Sequence, residues 1–491
     1  MSASMPDHIH GPQDRERVPV HAGSSRASAA ERLEELRERM ADLCASAVDP
    51  LEITAGLEAD GINDEAARGY GHPDVFAVAE DLFAGTPRRP PTPEATASPW
   101  RPTPWRHLVR GVLFGLPGLC YIVATPALTR TTADVLLVFS LLLSWTVSQG
   151  TAYLGYVRLG LGDKAAAARV LRYGLAAGAL VVVPVTAATG IVLDAGTTAT
   201  ALAAGLGAYL LAAMVVQVNG GERRLLLAFL PGVAGVVVYL AAHGGSPPSD
   251  NADGTLETVP MGVWVAWLAT LAATIALAVV CTSGAGRPTR RVVTGRDVAA
   301  ALPFSVFGLL TGGLLTFTLL CAVAGRPVPA GSTTVAVLSL SLSMGVAEWI
   351  LYAYRRRVYH LLRTHTDMPG FARAARVTLG SALARYMASL TALVTVSALI
   401  AGLPTSGATL RVLGGFVGLG GAFFLALVLQ ACGRVAVALT TCACALAAEV
   451  AAAWSVPRTE PGTIQMAVAG ALFLILTIYA GRVLSRATPH R

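Results

Sequence analysis

The chain has 491 residues, of which 54% are hydrophobic and 14% charged, with a formal net charge of +7 and a mean hydropathy of +0.58. That composition leaves too little polar surface for a water-soluble protein, so lipid is the expected solvent. The basic excess does not point to nucleic acid, because it sits in short connections between apolar runs rather than along one face.

Nearly all the basic residues are Arg, with Lys164 the only lysine, a bias expected of a GC-rich bacterial genome. The seven cysteines form no framework. Six fall in or beside apolar segments, and the Cys442/Cys444 pair lacks a histidine or second pair at ligand spacing, so no metal or other cofactor is expected.

Residues 1–27 are rich in His, Gly, Pro, Ser and charge, with no basic stretch leading into an apolar core, so a disordered start without a cleavable signal is expected. Ser28 and Glu31 form a capping-box pattern opening a helix in which Leu33, Leu36, Met40, Leu43 and Ala47 recur at helical spacing until Asp49-Pro50 stops it. Short amphipathic stretches to residue 85 complete a small helical cytoplasmic module (28–85), whose expected role is docking a cytoplasmic protein partner or regulation rather than catalysis. The prolines of 86–106 forbid helix and mark a semi-rigid linker. Trp100, Trp105, Arg101, Arg106 and Arg110 read as flanks of a membrane interface.

Twelve apolar runs follow, at 107–127, 134–156, 169–193, 199–219, 224–242, 261–282, 299–325, 333–354, 375–402, 408–431, 434–454 and 463–483. Each is long enough to cross about 30 Å of hydrocarbon at about 1.5 Å per residue. The fold class is therefore an all-α polytopic membrane protein. Four Arg-rich connections, carrying Arg158 to Arg172, Arg223 and Arg224, Arg287 to Arg296, and Arg355 to Arg376, each follow an even-numbered run. By the positive-inside rule both termini are cytoplasmic, as expected for a multi-pass protein of a bacterial cytoplasmic membrane.

The chain also repeats itself. Leu143, Ser144, Ser148, Gly150 and Ala152 in the second run match Leu338, Ser339, Ser343, Gly345 and Ala347 in the eighth. Ala167-Ala168-Arg169-Val170 opens the third as Ala374-Ala375-Arg376-Val377 opens the ninth, and Gln217 and Gly220 correspond to Gln430 and Gly433. The matches are collinear, so a first half (107–282), a linker (283–298), a second half (299–483) and a tail (484–491) are expected. A six-helix unit repeats in parallel, and parallel repeats place a substrate site between the halves.

The stretch Ser148-Gln149-Gly150 through Val157-Arg158-Leu159-Gly160-Leu161-Gly162-Asp163-Lys164 into Ala168-Arg169-Val170-Leu171-Arg172 resembles the second helix, short basic Gly-Asp loop and third helix of the multidrug, oligosaccharidyl-lipid and polysaccharide flippase superfamily, its polysaccharide-exporter branch above all. The resemblance implies a V-shaped pair of six-helix bundles around a polar cavity that opens alternately to either side. It leaves the N-terminal module unassigned.

Charge inside hydrocarbon is costly, which makes Glu348 and Arg385 the first candidates: roughly 9 Å and 14 Å into their helices, they can face each other and line a cavity, Arg385 toward a pyrophosphate or acidic sugar. A structural ion pair explains them too. Gln149, Tyr153, Gln217, Asn219 and Gln430 are polar candidates that interhelical hydrogen bonding explains as readily. Glu449 and Arg411 read as snorkelling to the outer interface, and His360 and His365 as solvated loop residues. No Walker A sequence, nucleophile elbow or zinc-protease motif occurs, so the chain is not expected to be an enzyme.

Four functions remain. The first is a flippase or exporter whose partner is a lipid-linked glycan or polysaccharide. The others are an ion-coupled multidrug-type exporter, a membrane-embedded glycosyltransferase, and a scaffold presenting the N-terminal module.

Overall fold

The computed structural model describes residues 22–47, 49–87, 105, 107, 109–113, 131–242, 261–283, 293–364 and 368–486. Contacts divide the chain into two units, Met1–Pro99 and Trp100–Arg491.

In the first unit, helices α1 (Ala22–Arg39), α2 (Ala41–Ser46), α3 (Pro50–Ala59), α4 (Asp64–Gly69) and α5 (Val75–Gly85) enclose a core of Leu36, Cys44, Ile53, Leu57, Ala67, Val75, Val78 and Leu82. Two expectations change here. Helix α1 begins at Ala22, so Ser28 lies inside a helix rather than capping one, and 22–27 are helical. Asp49-Pro50, which follows the end of α2 as expected, also starts the next helix: the Glu52 N–H donates to Asp49 Oδ1 at 3.1 Å, and Pro50 fills the first turn, where a missing N–H costs nothing. Asn63 and Asp74 cap α4 and α5 in the same way, at 3.0 and 2.8 Å.

The second unit contains eleven helices long and apolar enough to cross a membrane among the described residues. They are α6 (Thr131–Gly160), α7 (Lys164–Val192), α8 (Thr197–Val218), α9 (Glu222–Ala242), α10 (Met261–Thr282), α11 (Gly295–Val323), α12 (Ser332–Thr364), α13 (Met368–Ile400), α14 (Gly407–Ala431), α15 (Val435–Ser455) and α16 (Pro461–Val483). They correspond in order to the second through twelfth apolar runs. Of the first run only 107 and 109–113 are described, and these are helical; the rest of that expectation lies outside the described residues.

The chief boundary difference is α12, which continues past Tyr354 to Thr364 because Tyr354, Val358 and Leu361 keep one apolar face against the core. His360 is therefore helical rather than in a loop, while His365 falls outside the described residues.

Packing runs in parallel through the two halves. Helix α6 packs on α7 and α8 as α12 packs on α13 and α14; α8 packs on α10 as α14 packs on α16; α9 packs on α10 as α15 packs on α16. The helix ends repeat as well. After Gln217 and Gln430 the chain turns through Gly220 (φ 73°) and Gly433 (φ 75°), whose N–H groups donate to the Gln217 and Gln430 carbonyls at 3.0 Å in both cases. At the ends of α7 and α13 the same left-handed turn falls on Asp194 (φ 48°) and Gly402 (φ 61°).

Candidate functional site

The two halves meet along a seam in which α6 runs antiparallel to α11. Glycines make the approach possible: a side chain at Gly312 would come within 2.5 Å of Leu142, one at Gly308 within 2.8 Å of Gln149, and one at Gly150 would strike Ser305. Tyr153 stacks on Phe304, with ring centroids 4.0 Å apart and planes at 15°. The seam ends in an ion pair, Arg158 Nη2 to Asp297 Oδ2 at 2.8 Å. Asp297 is held for it by a capping box, accepting from the Thr294 N–H at 2.8 Å at the first turn of α11.

A second seam repeats the first. Gly345 of α12, the repeat counterpart of Gly150, lies where an added side chain would strike the His107 carbonyl, and Gly111 lies against the Leu342 carbonyl of α12 at 2.6 Å from such a position. Around this contact gather four ionisable groups. Arg110 pairs with Glu348 of α12 and, through Nη2, with Glu222 Oε1 of α9 at 2.5 Å. His107 Nδ1 lies 3.2 Å from Glu348 Oε2, and its ring sits 5.0 Å from that of Tyr352. Glu222 and Arg110 belong to the first half, Glu348 to the second, and their side chains are 3%, 16% and 23% exposed, so water screens them little.

Both ionic contacts lie toward the end of the bundle that carries the Arg-rich connections. Toward the other end α6 and α11 turn to their own halves: Leu136 packs on Ala195 and Ala203, the Ser140 hydroxyl donates to the Ala203 carbonyl at 2.6 Å, and Phe317 and Cys321 pack on Ile464. Among the described residues, the ion pairs of the seams lie at one end.

The sequence candidates distribute unevenly around this geometry. Gln149, Tyr153 and Glu348 lie on the seams. Glu348 and Arg385 do not face each other as an ion pair: Glu348 is taken by Arg110 and His107, while Arg385 donates from Nε to the Ser381 carbonyl at 3.0 Å within its own helix. The reason is rotation along α12, where residues 345, 348 and 352 share the face toward 107–111 and Trp349 and Ala353 share the face toward Arg385. Gln217 and Gln430 sit at helix ends, and the Asn219 side chain donates to the Val215 carbonyl of its own helix at 2.8 Å.

Glu449 reverses its expectation. It does not snorkel but is fully buried on α15, which packs against α11 and α16, and neither carboxylate oxygen has a hydrogen-bond partner among the described residues. Arg411 is paired with Glu460, its Nε lying 3.1 Å from Oε2. Sequence reasoning did not single out Glu222, which adjoins Arg223-Arg224, and it placed Arg110 at the interface when the side chain is inside the bundle.

No family profile and no curated protein matches the sequence. Among solved structures the chain is similar to one described as the inward-facing conformation of a multidrug resistance MATE family transporter of the MOP superfamily (15% identity, TM-score 0.39, covering 78% of this chain and 96% of that one) and to one described as the outward-facing conformation of such a transporter (14%, 0.44, 78% and 96%). It is also similar to a MOP superfamily transporter from Pyrococcus furiosus, described as having a binding pocket of reverse polarity that suggests a different function (14%, 0.45, 78% and 97%).

Among the described residues no group of three or more His, Cys, Asp or Glu could hold a metal ion. The two seams are pseudo-equivalent glycine-lined contacts between the halves, each tied by buried or half-buried charge.

Proposed function

We propose that the chain is a membrane transporter that works by alternating access of its two halves, and that its cargo is a lipid-linked saccharide or polysaccharide flipped or exported across a bacterial cytoplasmic membrane. The observation that carries the reading is the pair of seams, tied among the described residues at one end, by Arg110, Glu222 and Glu348 and by Arg158 with Asp297. A scaffold has no need of a charged contact that can be exchanged for solvent, whereas a gate needs one that is strong when dry and replaceable when wetted. The amide of Gln149 and the ring of Tyr153, on the seam itself, are the groups that suit sugar hydroxyls and ring faces.

The test is a switchable lock. Arg158→Cys with Asp297→Cys, oxidised to a disulfide in proteoliposomes, should abolish movement of a lipid-linked oligosaccharide and regain it on reduction. Undiminished transport by the oxidised protein would remove the gate. Failure of every lipid-linked saccharide beside efflux of cationic dyes would favour the multidrug-type reading. That second reading draws on Glu449, because a buried carboxylate without a hydrogen-bond partner among the described residues calls for a proton or a cation to balance it. Under it, Glu449→Gln uncouples transport from the ion gradient while leaving substrate binding intact.

A further inference from the structure

Helices α12 and α13 enclose a groove of about 290 Å³ lined by Trp349, Ile350, Ala353, Arg385, Ala388 and Ser389. Arg385 is its one charge. The guanidinium donates from Nε to the Ser381 carbonyl at 3.0 Å and from Nη2 to the Ser381 hydroxyl at 3.4 Å, which leaves Nη1 without a partner among the described residues. Glu348, the only acid on either helix, is engaged by Arg110 and His107.

The groove faces outward. Helix α13 packs on α12 and α14, burying a single stripe of Ala375, Leu379, Ala382, Tyr386 and Leu390, while Arg385 is exposed and Trp349 is 45% exposed. Arg385 lies about 23 Å from the Ile400 end of α13, and Trp349 about 26 Å from the Ser332 end of α12, at about 1.5 Å per residue. From the other side, Arg385 lies about 14 Å beyond Arg376, but its guanidinium, bonded at Ser381, reaches back to about 8 Å from that level, and Trp349 lies about 9 Å from Arg355, so both face the membrane surface that carries Arg355, Arg356, Arg357 and Arg376. A bare guanidinium there is costly, and a tryptophan there is in its preferred setting.

We propose that this groove is a binding site for one anionic phospholipid of the surrounding membrane, its phosphate on Arg385 and its acyl chain along Ile350, Ala353 and Ala388. The planar guanidinium suits a phosphate in two-pronged contact, and the basic surface nearby favours lipids of net negative charge over zwitterionic ones. The site stands on the groove alone and does not depend on what the seams transport.

The experiment is native mass spectrometry of the full chain released from nanodiscs of phosphatidylcholine containing a minor share of phosphatidylglycerol. The wild type should retain one phosphatidylglycerol per chain, and Arg385→Gln should lower that retention at least tenfold, with Arg385→Lys recovering part of it. Equal retention by wild type and Arg385→Gln, or retention of phosphatidylcholine as well as phosphatidylglycerol, overturns the proposal. Preferential retention of polyprenyl phosphate over phosphatidylglycerol, when both are supplied, overturns it in favour of a substrate-entry site. Should Arg385→Gln fail to fold, the wild type decides: saturable thermal stabilisation by phosphatidylglycerol, absent with phosphatidylcholine, is expected, and its absence refutes the site.

Discussion

Arg110 is the residue on which both halves converge, since it holds one carboxylate from its own half and one from the other. Removing Arg110 strands both carboxylates. Arg110→Ala should therefore destabilise the protein by about 3 kcal/mol or more, seen as a lowered melting temperature in detergent. The double variant with Glu348→Ala should lose less than the sum of the single losses, because the second change removes one of the two stranded charges. Asp194 offers a change of opposite sign. Its φ of 48° is a conformation that costs an ordinary residue about 1–2 kcal/mol, and its repeat counterpart is Gly402. Asp194→Gly is expected to raise the melting temperature slightly and Gly402→Val to lower it. In the N-terminal unit, burial pushes the Cys44 thiol above its ordinary value of 9.0. The unfolded chain loses that proton first, so module stability should be level through neutral pH and decline as pH rises past the ordinary thiol range, measurable by chemical unfolding at pH 7 and pH 10.

Among elements, α6 and α12 matter most, because each is the second helix of one half and packs on the first helix of the other. Gly150 and Gly345 let them do so. Gly345→Leu should part the second seam, since the nearest atoms are the His107 carbonyl and the backbone of Gly111, which cannot move aside as a side chain would. The measurable result is faster labelling of a cysteine placed at Tyr352, compared with the same cysteine in an otherwise native chain. The helices themselves were legible from apolar run length, and most boundaries fall within a few residues of where hydropathy puts them. The extension of α12 was not, because its last turns open with Arg355, Arg356 and Arg357 in succession, and a hydropathy reading ends where charge begins. Only the apolar stripe of Tyr354, Val358 and Leu361 keeps that segment helical and packed.

At the scale of the whole molecule, the acid-rich N-terminal unit has its own core and its own capped helices, so residues 22–87 expressed alone should show helical circular dichroism and a cooperative melt. A chain lacking residues 1–99 should still transport if the membrane unit is the working part, whereas loss of function with that unit folded would favour a scaffold. What the sequence by itself determined is whatever depends on local order along the chain: the helices, the doubling of the pattern and the seam residues Gln149, Tyr153 and Glu348 as candidates. Which charge meets which was decided only by tertiary structure. Arg110, Glu222 and Glu348 are far apart in sequence, and a turn of about 100° per residue sends Glu348 to the seam and Trp349 to the groove of Arg385. Hydropathy records that a charge lies within a span, but the direction in which it points is set by the helices packed around it.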